Sequence, residues 1–222
     1  MLEYLVEPVS TFAWMIDQLV LFNVVVVGFW FILTEAVFFY FLYKYRWQDG
    51  KPALYVTGKE KHLKRWVAWP HYLIIFCDVF IVAGAIYVWY HIKQDKPEPD
   101  YTVRIVAQQW AWSFVHPGAD GQIDTDDDIH IGDELHIVAN KTYHFKLESR
   151  DVQHSFSVPA FRLKQDAWPG REITGWFEAT KTGEYDIQCT EMCGIGHGLM
   201  PARLYVETPD QHADWVKSQK TI

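Results

Sequence analysis

The sequence predicts a two-helix transmembrane hairpin followed by an all-β domain, and three observations support this division. Two apolar runs in the first half are each long enough to cross a membrane. Short strand-like segments separated by glycine and aspartate turns fill the second half. Charge follows the same boundary, because residues 1–100 have a formal net charge of −1 and residues 101–222 one of −7. With 222 residues, 50% of them hydrophobic, the chain suits one or two ordered domains and not a disordered protein.

The two apolar runs are interpreted as permanent anchors spanning about residues 13–45 and 66–92, in contact with membrane lipid. A cleaved signal peptide is disfavoured, because the N-terminus is acidic and the first run is too long for a signal's apolar region. The intervening loop, residues 46–65, is rich in lysine and arginine. The positive-inside rule therefore places this loop in the cytoplasm or mitochondrial matrix. The C-terminal domain then lies on the periplasmic or intermembrane side of a bacterial plasma membrane or mitochondrial inner membrane.

The hairpin is thus predicted over residues 1–92, and a stiff polar linker follows at 93–100. Residues 101–208 have the pattern of an antiparallel sandwich or barrel. The tail, residues 209–222, resembles a short surface helix. Strands are predicted at residues 103–108, 129–138 with a break at 132–133, 143–148, 153–158, 172–178, 185–189 and 202–207.

A dense group of metal-binding side chains follows the strand predicted at 185–189. Cys189, Cys193, His197 and Met200 fall within twelve residues, and glycines between them allow the loop to fold tightly. Soft sulfur ligands combined with imidazole select copper or zinc over magnesium or calcium. The sequence therefore predicts a soft-metal site in this loop.

Several interpretations of the loop stay open on pattern alone. The two cysteines could form a disulfide, although that would not explain the nearby His197 and Met200. Zinc sites more often have a C-x2-C spacing, and a single blue-copper ion needs only one cysteine. The second thiol suggests two metals bridged by both thiolates, with a further histidine arriving from elsewhere. His154, in the strand predicted at 153–158, is modestly favoured.

The second half also carries an acidic cluster: Asp120, Asp124, Asp126, Asp127, Asp128, Asp133 and Glu134. The acidic balance argues against a nucleic-acid partner, which would require concentrated lysine and arginine. Such a cluster is either a solvated face or a surface that steers a basic protein partner.

Four motifs carry a resemblance to a known family: GlnTrpAlaTrpSerPhe at 109–114, SerArgAspValGlnHisSerPhe at 149–156, LysGlnAspAlaTrpProGlyArg at 164–171, and the loop 189–200. Over nearly its whole length the chain resembles subunit II of the haem-copper oxidases, specifically the copper-bearing cytochrome c oxidase type. The resemblance implies that the C-terminal domain is a cupredoxin-like Greek-key barrel with a binuclear copper centre, CuA.

The resemblance also implies the role of individual residues in the metal centre. Cys189 and Cys193 would bridge two copper ions. One copper would be completed by His154 and Met200, and the other by His197 and the backbone carbonyl of Glu191. The Glu191 side chain would help to hold a magnesium ion shared with subunit I.

The function implied is that of the electron-accepting subunit of a terminal oxidase. Cytochrome c, or another c-type donor, would dock on the acidic face, and its electron would enter at Trp110. The electron would pass to haem in subunit I, where oxygen is reduced to water with proton translocation. Two alternatives stay open: the CuA-bearing subunit of a nitric oxide reductase, and a membrane-anchored copper-delivery protein. A quinol oxidase subunit is disfavoured because it would lack the copper ligands.

Overall fold

The computed structural model describes residues 6–52 and 55–219 and divides the chain into two units. One unit, Asp17–Tyr90, is helical. The other comprises residues 1–16 and 91–222 and contains all the described strands. Each unit has a fold that its own sequence pattern explains.

The helical unit contains two long helices, α1 (Ala13–Lys44) and α2 (Lys61–Trp89). A π-helical turn at Tyr90–Gln94 continues α2. Both helices are long and apolar enough to cross a membrane, as the sequence predicts. The second begins before its predicted span, because the polar residues 61–65 form its first turn.

The strands form two five-stranded sheets that pack face to face as a β-sandwich. The first sheet has the order β3-β2-β1-β5-β8 and the second the order β4-β10-β9-β6-β7. The strands are β1 (Tyr101–Gln108), β2 (Ala111–His116), β3 (Ile129–Gly132), β4 (Glu134–Val138), β5 (Thr142–Ser149), β6 (His154–Val158), β7 (Leu163–Ala167), β8 (Ile173–Glu178), β9 (Gly183–Cys189) and β10 (Pro201–Glu207).

Every strand predicted from the sequence is present, and the break predicted at residues 132–133 is confirmed. At this break the chain passes from β3 in one sheet to β4 in the other, and Asp133 adopts a left-handed conformation with φ of 59°. Two strands, β2 and β7, were not predicted. Strand β7 is a polar edge strand with only its two ends buried, so it lacks an alternating apolar pattern.

The predicted all-β domain is confirmed, but two strand pairs depart from the antiparallel pattern that the sequence predicts. Strand β1 pairs with β5, and β4 with β10, in parallel. Parallel pairing arises because the chain leaves the first sheet after β3 and later returns to it at β5. Sequence alternation identifies which face of a strand is buried but not which neighbour it pairs with.

The core of the sandwich is an aromatic layer between the sheets. Alternate residues of β5 point inward, so that Tyr143, Phe145 and Leu147 are at most 1% exposed. Rings from the two sheets meet edge to face, as in the 5.6 Å contact between Trp112 and Phe156. This layer supports one end of the sandwich, where the residues predicted to bind metal lie.

An N-terminal strap, residues 7–13, completes the β unit. The backbone N–H of Val9 donates to the Ala160 carbonyl, and its carbonyl accepts from the Thr180 N–H, both at 2.8 Å. Val9 is fully buried, and Phe12 packs edge to face on Trp176 at 5.2 Å. The strap therefore fills an apolar gap in the sandwich with residues from the other end of the chain.

The predicted C-terminal helix is present as α3 (Pro209–Ser218). A histidine-rich contact attaches it to the second sheet. Trp215 of α3 stacks on the His136 ring at 4.2 Å. Glu207 lies 2.9 Å from a ring nitrogen of His136 and 2.9 Å from one of His212.

His116 lies beneath this contact and is 1% exposed. Its Nε2 accepts a hydrogen bond from the backbone N–H of His136 at 2.9 Å, so that nitrogen is unprotonated. Burial, together with the neighbouring His136 and His212, lowers the pKa of His116 to about 3. The folded domain therefore keeps His116 neutral at a pH where the unfolded chain would protonate it.

This burial predicts a loss of stability in mild acid. A histidine with a depressed pKa contributes stability above its unfolded pKa of about 6.5, and that contribution is lost as the pH falls toward 3. Between pH 7.5 and pH 5, the free energy of unfolding of the β unit should fall by about 2 kcal/mol from this residue. Urea denaturation of the full chain at the two pH values, followed by near-UV circular dichroism, measures the change.

The matched variants are His116→Gln and His130→Gln. His130 lies on adjacent β3 but is exposed. His116→Gln should make the unfolding free energy less dependent on pH, whereas His130→Gln should leave that dependence as it is. An equal pH dependence in His116→Gln and the unchanged chain would contradict the assignment.

Candidate metal centre

Three segments of the β unit meet at one end of the sandwich. They are the first residues of β6, the turn between β1 and β2, and the loop from Cys189 to Met200 that joins β9 to β10. Antiparallel pairing of β6 with β9 places Phe156 opposite Cys189. His154, two residues from Phe156 on the same face of β6, therefore lies beside the loop.

The two loop cysteines are close together and buried. Cys189 is 9% exposed and Cys193 is 2% exposed, and their sulfur atoms lie 3.8 Å apart. This separation is far longer than a disulfide bond of about 2.05 Å, so both are free thiols. Two sulfurs at this distance can bind one metal ion together at the usual metal–sulfur distance of about 2.3 Å.

Two imidazoles flank the thiol pair, one on each side. The Nδ1 atom of His154 lies 3.9 Å from the Cys189 sulfur, and that of His197 lies 3.6 Å from the Cys193 sulfur. The carbonyl oxygen of Glu191 lies 3.3 Å from the Cys189 sulfur. The donor set therefore has a pseudo-symmetric form, with a sulfur pair at its centre and one imidazole at each end.

Met200 completes the group of residues that the sequence nominates. It is 1% exposed, and together with Cys189 and His197 it lines a depression of about 260 Å³. Among the histidine, cysteine, aspartate and glutamate side chains of the described residues, one group of three has its ligand atoms within 4.8 Å of one another. It consists of His154, Cys189 and Cys193. The structure thus brings all the nominated loop residues and His154 to one place.

Hydrogen bonds fix the orientation of the His154 ring. Its Nε2 lies 2.8 Å from a carboxylate oxygen of Asp151, leaving Nδ1 facing the thiols. Asp151 also accepts from the backbone N–H of Gln109 and of Val152, each at 2.6 Å. Burial opposes ionisation of Asp151, but these hydrogen bonds hold its pKa below the usual value.

The Cys189–Met200 loop is attached to the β1–β2 turn through one carbonyl group. The Cys193 carbonyl accepts hydrogen bonds from the Gln109 side chain at 2.8 Å and from the Trp110 indole at 3.3 Å. A Cβ atom on Gly196 would lie 2.4 Å from the Trp110 ring. The loop can therefore approach the indole this closely only because residue 196 has no side chain.

Sequence reasoning did not identify three of these supporting residues. Asp151 orients His154, Gln109 holds the Cys193 carbonyl, and the Trp112 indole donates to the Met200 carbonyl at 3.2 Å. All three lie within the quoted motifs at 109–114 and 149–156. The i, i+3 spacing of Asp151 and His154 was the available signal for one of these contacts.

The Cys193 thiol is protonated in the protein without bound metal. Burial, together with the adjacent Cys189, raises the pKa of Cys193 to about 11. Metals bind the thiolate, so loading the site must release protons. A buried pair of thiols suits a soft metal cation, because the positive charge of the metal takes the place of the released protons.

Some carboxylates of the acidic cluster form ion pairs with basic side chains, and others accept hydrogen bonds from the backbone. Asp124 forms ion pairs with Arg104 at 2.8 Å and with Lys146 at 3.3 Å. The Asp133 carboxylate accepts from the backbone N–H of Trp112 at 2.8 Å, at the crossing between the sheets. Asp120 and Asp126 stay exposed. The excess of negative charge at this surface is therefore smaller than the sequence suggests.

The fold is a cupredoxin-like β-sandwich with a group of thiol and imidazole side chains that could hold a metal ion, and comparisons identify the family. Residues 101–207 match the family described as cytochrome c oxidase subunit II, periplasmic domain. The crystal structure of the periplasmic domain of subunit II of cytochrome oxidase from Bradyrhizobium japonicum is 31% identical in sequence. It aligns with a TM-score of 0.50 over 55% of this chain and 95% of that one.

Two curated relatives align with this chain over different lengths. The alternative cytochrome c oxidase subunit 2 of Bradyrhizobium diazoefficiens is 29% identical over 97% of this chain and 84% of its own length. The cytochrome c oxidase subunit 2 of Thermostichus vulcanus is 41% identical over 56% of this chain, which spans 35% of that protein. The chain belongs to the cytochrome c oxidase subunit II family.

The close approach of Gly196 to Trp110 predicts the effect of a single methyl group. Gly196→Ala should force the loop away from the indole and lower the free energy of unfolding by about 1–3 kcal/mol, as overpacking does elsewhere. It should also shift the Trp110 fluorescence. Urea denaturation and fluorescence of the full chain measure both effects.

Gly198→Ala is the matched control in the same loop, because a Cβ atom there meets nothing within 4 Å. Its unfolding free energy should stay within about 0.5 kcal/mol of the unchanged chain. If the two substitutions changed the unfolding free energy equally, contact with the Trp110 indole would not be the reason why residue 196 is glycine.

Proposed function

We propose that this chain is the electron-accepting subunit of a haem-copper terminal oxidase. The observation that carries the proposal is the pair of buried free thiols, 3.8 Å apart and flanked by His154 and His197, in a member of the subunit II family. In this proposal the site is a binuclear copper centre, CuA. Bound copper would supply a one-electron carrier between cytochrome c and haem in subunit I, where oxygen would be reduced to water with proton translocation.

The proposed ligands are those that the resemblance to the family implies, and all of them lie near the two sulfurs. Cys189 and Cys193 would both hold the copper ions, which would explain why a second thiol is present. The resemblance pairs His154 with Met200, and His197 with the carbonyl of Glu191, and these groups would hold the two ions. His154 lies beside the Cys189 sulfur and His197 beside the Cys193 sulfur. When bound, the copper pair supplies a one-electron acceptor and donor of low reorganisation energy.

The protein's own contribution is to hold these donors still. Asp151 fixes the ring of His154, and the Cys193 carbonyl is held by two side chains of the β1–β2 turn. Neighbouring side chains that orient ligands in this way keep the donor positions constant between oxidation states. Burial of both thiols also supports a resident metal in preference to an exchangeable one, which distinguishes the proposal from a copper-delivery protein.

Trp110 supports a route for the incoming electron. Its indole is 38% exposed, and its N–H lies 3.3 Å from the carbonyl of Cys193. One side chain thus connects the protein surface to a proposed bridging ligand. A basic cytochrome c would dock at this surface, steered by the net negative charge of residues 101–222.

The proposal also includes the membrane arrangement and the remaining partners. The basic loop 46–65 supports a cytoplasmic or matrix location for the loop and a periplasmic or intermembrane location for the β unit. The partly exposed Glu191 side chain is proposed to hold magnesium at the junction with subunit I. From the sequence pattern we also propose four regions: a hairpin at 1–92, a linker at 93–100, a copper domain at 101–208 and a tail at 209–222.

Copper stoichiometry tests the proposal most directly. The full chain in detergent, loaded with copper, should bind two copper ions and show an electron paramagnetic resonance spectrum with hyperfine splitting shared by both nuclei. Cys193→Ser should abolish this shared splitting, because one bridge is lost.

Cys77→Ser is the control, since Cys77 is the third free cysteine and belongs to the helical unit. It should keep both copper ions and the same spectrum. A single copper with a mononuclear spectrum, or a preference for zinc, would refute the bridging role of the two thiols.

Trp110→Leu tests the electron route separately from metal binding. The variant should keep two copper ions but accept electrons from reduced cytochrome c at least about tenfold more slowly, because the surface contact is lost. Stopped-flow spectroscopy of the copper-loaded chain measures the rate.

Trp215→Leu, in α3, is the control. It removes another tryptophan, which stacks on His136 of β4, an edge strand of the second sheet. It should accept electrons at the unchanged rate. If both variants were slowed equally, or neither was, Trp110 would not be the point of electron transfer from cytochrome c.

A further inference from the structure

The helical unit contains a groove that the electron-transfer function does not use. It lies between α1 and α2, near the first turns of α2, and has a volume of about 520 Å³. We call it the Trp66 groove, and its wall includes Trp30, Leu33, His62, Arg65, Trp66 and Trp69. All these residues belong to the unit Asp17–Tyr90.

The wall of the Trp66 groove is apolar along its length. Two tryptophans of α2 form much of it, and they are strongly exposed: Trp66 at 81% and Trp69 at 65%. On the other side, Trp30 of α1 is held in place by a hydrogen bond from its indole to the Cys77 sulfur at 3.4 Å. A volume of this size is sufficient for a long segment of one acyl chain.

The mouth of the groove is cationic. Arg65 and His62 line it, and Lys61 and Lys64 lie in the same first turns of α2. Glu60 is the nearest acidic residue in sequence, but its carboxylate accepts hydrogen bonds from Thr57, from the hydroxyl at 2.7 Å and the backbone N–H at 3.2 Å. Across residues 6–52 and 55–219, no carboxylate lies within 4 Å of the Arg65 guanidinium.

The position of Arg65 matches the level of lipid headgroups. It immediately precedes the apolar run that begins at Trp66, and a tryptophan at that point is typical of the membrane–water interface. A guanidinium binds a phosphate through two parallel hydrogen bonds, which an ammonium group cannot do. The groove thus has a phosphate-binding group at its mouth and an apolar channel behind it.

We propose that the Trp66 groove binds one anionic glycerophospholipid of the surrounding membrane. The lipid phosphate contacts Arg65 and His62, and one acyl chain lies along the tryptophan wall. An apolar helix of another subunit would cover the wall but leave the guanidinium without a counter-ion, at a cost in desolvation. A neutral lipid would fill the channel without neutralising the cations. The inference depends on membrane insertion of the helices but not on the metal centre.

Native mass spectrometry of the full chain in a non-ionic detergent tests the proposal. The probes are phosphatidylglycerol and phosphatidylcholine with identical acyl chains. One phosphatidylglycerol should bind about tenfold more tightly than phosphatidylcholine. Arg65→Gln should weaken phosphatidylglycerol binding about fivefold, which corresponds to ~1 kcal/mol for one basic group near an anionic headgroup, and should leave phosphatidylcholine binding unchanged.

Lys64→Gln is the matched control. It removes the same charge from the adjacent residue, which lines a separate groove. Its effect on phosphatidylglycerol should be less than twofold. Equal losses in Arg65→Gln and Lys64→Gln would show diffuse attraction instead of a site, and equal binding of the two lipids would show a purely apolar surface. Either result would overturn the proposal.

A second measurement uses the assembled oxidase complex isolated from membranes. A photoreactive phosphatidylglycerol should label the segment 66–69 in the complex as well as in the isolated chain. Labelling of the isolated chain alone would show that another subunit covers the groove, and would also overturn the proposal. Copper content, measured on the same samples, separates failure at the groove from failure of the metal centre.

Discussion

The contact between the metal-binding loop and the β1–β2 turn is the constraint on which the site depends. Two side chains of the turn donate to the Cys193 carbonyl, and the same turn is bound from its other side by Asp151. Because Asp151 also orients His154, the turn links ligands from both β6 and the loop. Each such hydrogen bond contributes only about 1 kcal/mol, but together they select one arrangement of the donors. The aromatic layer behind them prevents the two sheets from adjusting independently.

Much of this arrangement could be predicted from the sequence, because its signals are local. Apolar runs predicted the helices, and short strand-like segments between turn signals predicted most strands, including β5. The short spacing of Cys189, Cys193 and His197 indicated a soft-metal loop without any knowledge of the fold. Resemblance to a family added His154, which the pattern alone favoured only modestly. The structure places its imidazole beside the first thiol.

The remainder depends on contacts between distant residues, which no local pattern encodes. The parallel pairing of β1 with β5 follows from the crossing of the chain between sheets at Asp133. The same residue illustrates a second difficulty. In the sequence Asp133 is one member of an acidic cluster, whereas in the structure its carboxylate supports the backbone of Trp112. Likewise, the role of Gln109 becomes visible only when the loop, 84 residues later, is placed against it.

The N-terminal strap has a consequence for how the β unit folds. Its Ser10 hydroxyl donates to the carbonyl of Phe161, a contact between residues 151 positions apart in the chain. Contacts of such high sequence separation impose a large loop-closure entropy and tend to form late. The sandwich is therefore closed by residues that precede both long helices, so its last contacts join segments that the whole hairpin separates in sequence. A fragment that begins after the hairpin would keep the metal-binding loop but expose the apolar gap beside Trp176, which favours self-association.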